Sequence, residues 1–327
     1  MEKMKIGVFW RSFRNVEFQK KLTPDRIKDD AYAEAYLHSK SLREAGFETE
    51  LIQWNDNPLE VYQKIVDGKI DLVFNASSNL ELNFLETFKI PYAGSSIYTV
   101  GMDKCIRKAI VSYYGIPTPK FILAKNKDDI PEVNLKYPLF VKPIDGRGSA
   151  GIDDSNIINS YDELPEVVDK ITSKIEQVAL IEEFVEGREM TVGIIGYKNP
   201  EILPILEIKY NGTKTNTYEH KMFDNEIIIC PMKLEKKVEE EIKRISLEIY
   251  KILDIKDFGR IDFILDKDSV PYFLEVNTFA GLTMPEADDE EKAHCGYMGD
   301  MARAKRYSRG DFIKKIVNST IKRYNLN

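Results

Sequence analysis

Arg260 and Asp262 stand two apart in the apolar run Phe258-Gly-Arg-Ile-Asp-Phe-Ile-Leu-Asp266, and Glu275 and Asn277 stand two apart in Tyr272-Phe-Leu-Glu-Val-Asn277. Both runs alternate with period two, so each polar pair occupies one face of a strand. The link Asp266-Lys-Asp-Ser269 reads as a hairpin turn. Pairing of the two strands would gather two carboxylates, one amide oxygen and one guanidinium in a small patch. Such hard oxygen donors suit Mg²⁺, which commonly accompanies nucleotide phosphates. On these residues alone, a structural ion-pair cluster is the alternative.

Lys142, in Phe140-Val-Lys-Pro143, sits at the end of another apolar run. A desolvated ammonium calls for an anion, and a phosphate answers that need; an ordinary surface lysine is the bland alternative. Just beyond it, Gly146-Arg-Gly148-Ser149-Ala-Gly151 has the spacing of a dinucleotide fingerprint. The segment that follows, Ile152-Asp-Asp-Ser-Asn156, is poor helix material, and no acidic ribose partner stands on a second strand, which disfavours a nicotinamide or flavin fold. A flap whose backbone N–H groups close over phosphate oxygens, with the Ser149 hydroxyl adding a donor, fits better. No Gly-x-x-x-x-Gly-Lys-Ser/Thr occurs, which excludes a P-loop. Lys104 and Lys221 are further phosphate candidates, and Leu180 to Glu189 forms a strand-like linker whose backbone can receive an adenine edge.

The elements that must position these groups follow from the rest of the chain. Its 327 residues exceed one ordinary core and point to two or three domains. The first third alternates strands (Lys5 to Phe9, Glu48 to Trp54, Ile70 to Phe74) with helices (Ala31 to Ala45, Leu59 to Val66), a βαβαβ pattern that implies a parallel sheet. A helix over Asp103 to Tyr114 precedes a small unit with strands at Leu139 to Val141 and Ala179 to Glu182 and a helix at Leu164 to Lys174. The remainder carries strands at Met190 to Ile195, Ile202 to Ile208, Gly259 to Leu265 and Tyr272 to Val276, with helices at Glu235 to Leu253 and Asp311 to Tyr324. A net charge of -7 argues against nucleic acid as a partner. Without a long apolar run or a signal-like N-terminus, a membrane is not expected and the cytoplasm is. Three scattered cysteines argue for reduced thiols and against a zinc site, including at His294-Cys295. The basic segment Arg303 to Arg309 reads as a solvated stretch beside the last helix, and Glu286 to Glu291 as an exposed acidic run.

Taken in order, Met-Asp-Lys104, Phe-Val-Lys142-Pro, the Gly-rich flap, Glu182-Glu-Phe-Val185, Gly-Arg260-Ile-Asp262 and Glu275-Val-Asn277-Thr resemble the ATP-grasp enzymes, and among them the D-alanine:D-alanine ligase group, over roughly Ile90 to Thr283. The resemblance implies a mixed α/β and α+β fold: a parallel-sheet pre-ATP-grasp domain over residues 1–96, a central lobe with the flap over 97–184, and a C-terminal lobe over 185–327. It implies that Glu182 accepts the adenine amino group, Glu183 and Val185 offer main-chain contacts, Glu189 holds the ribose, and Lys104, Lys142 and Lys221 meet phosphates. Asp262, Glu275 and Asn277 would bind two Mg²⁺ ions, with Mn²⁺ as an alternative. Arg260, Ser149 and backbone N–H groups near Gly281 would serve the reacting groups. The implied reaction joins a small-molecule carboxylate to an amine through an acyl phosphate, giving ADP and phosphate. A homodimer is compatible with it.

The pattern breaks around the substrates. The first loop, Phe9-Trp-Arg11-Ser-Phe-Arg14-Asn-Val-Glu17, lacks the family's paired glycines; Glu17 keeps a candidate carboxylate, while Arg11 and Arg14 invite an anion. Asn75 to Asn79 replaces a Leu-His-Gly segment, Gly148 stands for a serine, Met222 for a tyrosine, and Glu286 for the serine that binds the acceptor carboxylate. A glutamate there would repel a carboxylate. These departures point to ligase chemistry on substrates other than two D-alanines, with a decarboxylated or basic amine as one option. A true D-alanine:D-alanine ligase of cell-wall synthesis and an ATP-binding regulatory protein without turnover are the alternatives.

Overall fold

The computed structural model describes residues 3–11, 30–55, 57–75, 80–145, 152–210, 226–290 and 294–326. The βαβαβ pattern becomes a four-stranded parallel sheet of order β2-β1-β3-β4, with β1 at Lys5–Trp10, β2 at Glu48–Gln53, β3 at Leu72–Asn75 and β4 at Tyr92–Ala93. The strand β4 lies inside what the sequence presents as a connector. Period-two alternation sorts its residues: Ile6, Val8, Leu72 and Phe74 join one core cluster, and Phe9, Ile52 and Val73 join another. The sheet is therefore buried on both faces, as crossover helices require. One face is covered by α1 (Asp30–Glu44), whose end is marked by Gly46 at φ 96°, a left-handed position that glycine takes without strain.

The central unit is a four-stranded antiparallel sheet of order β5-β8-β6-β7, formed by Phe121–Ala124, Ala179–Glu183, Leu139–Pro143 and Ile157–Ile158. Its core holds Leu139, Val141, Val168 and Ile181. Between the parallel sheet and this unit in the chain comes the helix α2 (Lys104–Tyr113), capped by Asp103, whose side chain accepts from the Ile106 N–H at 2.8 Å.

The C-terminal sheet has six strands: β12-β11-β9-β13-β14 in order, with β10 pairing β9. These are β9 Gly187–Ile195, β10 Glu201–Ile202, β11 Leu206–Tyr210, β12 Glu226–Ile229, β13 Phe258–Asp266 and β14 Pro271–Asn277. The single strand expected over Ile202 to Ile208 is two short ones, because Pro204 has no N–H to give a ladder. The helix α3 (Lys236–Ile252) sends Ile242, Ile245 and Ile249 against Ile261, Phe263, Phe273 and Val276. The opposite parity of β13 carries Arg260 and Asp262. The helix Tyr297–Ala304 has no counterpart in the sequence reading. No helix of the described residues is long and apolar enough to cross a membrane.

Two buried ion clusters tie the parallel sheet to the C-terminal sheet through the last helix, α4 (Arg309–Tyr324). Asp257 accepts from the Gly94 N–H at 3.1 Å, the Ser319 hydroxyl at 2.8 Å and Arg323 Nη2 at 2.6 Å, while Arg323 also donates to the Tyr92 carbonyl at 2.7 Å. At the other end Arg309, only 4% exposed, donates to both carboxylate oxygens of Asp289 at 2.8 Å and to Glu44 at 2.6 and 2.7 Å. Lys40 reaches Asp289 at 2.6 Å. The segment expected to be solvated thus ends in a buried arginine, and the run expected to be exposed contains a carboxylate that is 2% exposed. Each supplies the counter-charge that lets the other be buried.

Asp257→Ala leaves Arg323 buried without its carboxylate and should lower stability by about 3–5 kcal/mol, read from the urea midpoint. Asp289 gives a pH test. Burial works against its ionisation, but Lys40, the Glu286 N–H and Arg309 outweigh that and hold the carboxyl at about 2. Its folded value lies below the unfolded one of about 3.9, so its stabilisation is present above that value and is lost as pH falls toward 2. Asp289→Asn should flatten stability over this acid window by on the order of 2 kcal/mol in urea titrations at successive pH values.

Candidate active site

Strand β13 pairs antiparallel with β14 in the register Arg260 to Asn277, Ile261 to Val276 and Asp262 to Glu275, which brings the four polar residues onto one face. The turn is closed by Asp266: its carbonyl accepts from the Ser269 N–H at 3.1 Å, and its side chain accepts from the Asp268 and Val270 N–H groups at 2.9 and 2.8 Å. On its other side β13 pairs β9, placing Thr191 opposite Asp262. Asp262 Oδ1 accepts from Thr191 Oγ1 at 2.5 Å and Arg260 Nε at 3.0 Å; Oδ2 accepts from Arg260 Nη2 at 3.1 Å and Asn277 Nδ2 at 2.8 Å. Burial opposes the Arg260 charge, but Asp262 outweighs it and raises the guanidinium above its usual range.

Lys104 opens α2 and puts Nζ 3.3 Å from Glu275 Oε2. One turn later Lys108 is fully buried, with Nζ 2.9 Å from Glu182 Oε2, and Lys142 on β6 lies 2.5 Å from Glu182 Oε1. Burial disfavours the Glu182 charge, yet the two lysines more than offset it and hold the carboxyl below its usual range. Arg107 beside them donates to the carbonyls of Thr99, Val100 and Val276 and so joins α2 to β14.

A cleft of about 650 Å³ is lined by most of these groups, with the fully buried Lys108 and Thr191 behind them. Of the residues singled out in the sequence, Lys104, Lys142, Glu182, Glu183, Val185, Glu189, Arg260, Asp262, Glu275, Asn277 and Gly281 line it. Ser149, Lys221, Arg14 and Glu17 lie outside the described residues, as do Gly148 and Met222. Arg11 directly follows β1 and is not among the lining residues. Gly281 and Gly296 cross backbone to backbone: a Cβ on Gly296 would lie 2.2 Å from the Gly281 carbonyl oxygen. That carbonyl accepts from the Met298 N–H at 3.2 Å.

Glu286, expected at the acceptor site, is not among the residues that line the cleft; its carboxylate lies 3.4 Å from Arg309 Nη2, beside the ion cluster on α4. An acidic residue that does line the cleft, and that sequence reading passed over, is Glu226. Glu226 opens β12 opposite Tyr210, and its Oε2 accepts from the Tyr297 hydroxyl. Its Oε1 is shielded from solvent and has no hydrogen-bond partner among the described residues. The Tyr297 ring in turn lies under the Arg260 guanidinium, 4.8 Å from centroid to Cζ. A parallel pair stands beside it, with Tyr210 Oη donating to Glu189 Oε2 at 3.2 Å. Burial, reinforced by these glutamates, pushes both phenols up and keeps them neutral donors. Nearby, burial pushes the Cys295 thiol up to about 12, so it is not a thiolate ligand at neutral pH.

Thr191, Lys108, Glu226 and Tyr297 were missed for separable reasons. Lys108 follows Lys104 by one helical turn, a spacing that was legible. Thr191 is a lone hydroxyl in an apolar strand and acquires meaning only through its register with Asp262. Glu226 and Tyr297 are about seventy residues apart and carry no local signature. Tyr297→Phe removes the only hydrogen-bond donor seen on Glu226 among the described residues and should lower stability by about 1–3 kcal/mol in urea unfolding.

A protein-family model described as D-ala D-ala ligase C-terminus matches residues 110–286, more than half of the chain. The D-alanine--D-alanine ligase of Aquifex aeolicus is 37% identical over 259 residues, covering 75% of this chain and 83% of that protein. The enzyme of the same name from Pelotomaculum thermopropionicum is 29% identical over 286 residues, covering 80% and 84%. Among solved structures, the D-alanine--D-alanine ligase of Bacillus anthracis complexed with ATP superposes with a TM-score of 0.75 at 24% identity, covering 98% of this chain and 99% of that one. The VanG D-Ala:D-Ser ligase of Enterococcus faecalis gives 0.72 at 19% identity, covering 98% and 100%. With its three sheets, its cleft and this family match together, the chain belongs to the D-alanine–D-alanine ligase family of ADP-forming ATP-grasp ligases.

Proposed function

We propose that this ligase activates a carboxylate as an acyl phosphate and joins it to an amine, on a substrate pair other than two D-alanines. The observation that carries the reading is the convergence of Lys104, Lys142, Arg260 and the oxygen donors Asp262, Glu275 and Asn277 on one cleft. Asn277 donates its amide nitrogen to Asp262, which turns its amide oxygen away from that carboxylate and makes it a third hard donor beside the two acids. Mg²⁺ or Mn²⁺ held there, as one ion or two, would neutralise charge on the phosphoryl oxygens. The substrate carboxylate oxygen attacks the γ-phosphorus and ADP departs; the amine then attacks the acyl carbon, phosphate departs, and the amine loses a proton. Lys104 and Lys142 offset charge on the nucleotide phosphates, with Lys221 and the Gly146–Gly151 flap as further contributors. Arg260 faces the transferring group and then the tetrahedral oxyanion, aided by the N–H side of Gly281.

The substrate assignment rests on the departures at Arg11, Arg14, Asn75, Gly148 and Met222. The curated relatives named as D-alanine ligases favour the competing reading, in which both substrates are D-alanine. ATP-dependent phosphate release over a panel of amino acids and amines separates the two: turnover on other pairs with little on D-alanine is expected, and robust turnover on D-alanine alone would return the protein to the competing reading. Binding of ATP with no release on any pair would mark a regulatory protein. With a productive pair in hand, Arg260→Ala should cut kcat by roughly 10²–10³ while ATP affinity stays within about threefold.

A further inference from the structure

Behind the cleft wall formed by Lys142 and Glu182 lies a buried cation for which the proposed chemistry has no direct use. Lys108 is 0% exposed, and its Nζ lies 2.9 Å from Glu182 Oε2, 3.1 Å from Thr118 Oγ1 and 3.5 Å from the Phe273 carbonyl. The Thr118 hydroxyl donates to the same carbonyl at 2.9 Å, so the groups around the ammonium are themselves held. Across the carboxylate, Lys142 faces Oε1 at 2.5 Å. Lys108, Lys142 and Glu182 together carry one surplus positive charge in a buried place. Burial draws the Lys108 ammonium down, Glu182 offsets part of that and Lys142 adds to it, which leaves it at about 8. An apolar side chain of similar length would fill this space without desolvating an ammonium, so a lysine here points to a use for its charge.

We propose that Lys108 is a positioning residue for base selection: it keeps Glu182 ionised and fixed as a hydrogen-bond acceptor when Lys142 turns from Glu182 to a nucleotide phosphate. The inference rests on the reading in which Glu182 meets the adenine amino group and Lys142 a phosphate. An ionised carboxylate can only accept, which matches the 6-amino group of adenine and repels the 6-oxo group of guanine. With Lys142 gone to a phosphate and Lys108 absent, a buried carboxylate would have no cation. Either Lys142 stays behind and the phosphate contact is lost, or Glu182 takes up a proton, becomes a donor and accommodates the 6-oxo group. Lys108 prevents both.

The test is direct binding of AMPPNP and GMPPNP with Mg²⁺ to the full chain by titration calorimetry, which needs no knowledge of the carboxylate or amine. Lys108→Met should weaken AMPPNP about tenfold or more and reduce the AMPPNP-to-GMPPNP preference by at least about tenfold. Should that variant fail to fold, Lys108→Gln removes the charge while keeping a polar end beside Thr118 and the Phe273 carbonyl, and it should show the same reduced preference. An unchanged preference in whichever variant folds, even with both affinities lowered, overturns the inference and leaves Lys108 a structural residue. Wild-type protein that binds neither nucleotide overturns the nucleotide reading and this inference with it. A reduced preference in an enzyme that releases no phosphate on any substrate pair upholds this inference and overturns the ligation.

Discussion

Asp262 accepts four hydrogen bonds where β9, β13 and β14 meet, and the site depends on the register that brings those donors to it. A slip of one residue along β13 would turn Asp262 into the apolar layer under α3 and send Ile261 or Phe263 into the cleft. The pairing between β13 and β14 shifts just past Asp262, where Phe263 comes opposite Phe273 and Leu274 becomes the extra residue. That shift lets two parities coexist on one hairpin. Phe263 and Phe273 both enter the core, while Asp262 and Glu275 both face the cleft. A carboxylate that is 7% exposed is tolerable because each oxygen has two donors; removing Thr191 or Asn277 from register would strand it.

The positive side chains that mark the cleft already have partners: Lys104 with Glu275, Lys142 with Glu182 and Arg260 with Asp262. In the proposed reading, phosphate binding is therefore an exchange of partners, not the capture of an anion by unpaired cations. Moving Lys104 from Glu275 to a phosphate leaves Glu275 to a divalent cation, which couples the arrival of nucleotide and metal through one side chain. Moving Lys142 leaves Glu182 to Lys108. Such exchanges keep the net change in buried charge small, and in a low-dielectric cleft that matters more than the number of cations present.

The hairpin was legible because its polar residues interrupt apolar strands at period two, and because Asp266 to Ser269 has the composition of a turn. The ends of the first strands and helices were legible from periodicity and from Gly46. What was not legible depends on groups far apart in the chain. Arg309 and Asp289 look like parts of two solvated charge runs until α4 is laid against α1, where each makes the other's burial possible. Glu286 was assigned by its place in a motif, but Arg309 draws it to the other cluster. Tyr297 and Glu226 form part of the cleft only after two distant segments meet. Chemistry carried by adjacent residues on one strand survives in sequence as a pattern; chemistry assembled across sheets does not.

The placement of Glu34 at the cleft depends on the same distant charges. Arg309 and Arg323 lie near opposite ends of α4, fourteen residues apart, which is about 21 Å along a helix. One holds Glu44 at the end of α1, and the other holds Asp257 together with the backbone of β4. The parallel sheet is thus fastened to the C-terminal sheet at two separated points, and rotation about either is opposed by the other. Glu34, on α1, reaches the cleft from this fastened unit, while Phe279 reaches it from just beyond β14. The position of Glu34 relative to Arg260 is consequently set by ion pairs well outside the cleft together with the apolar core that the two sheets share. A substitution at Arg309 or Asp257 can therefore alter substrate fit without touching a residue that contacts substrate.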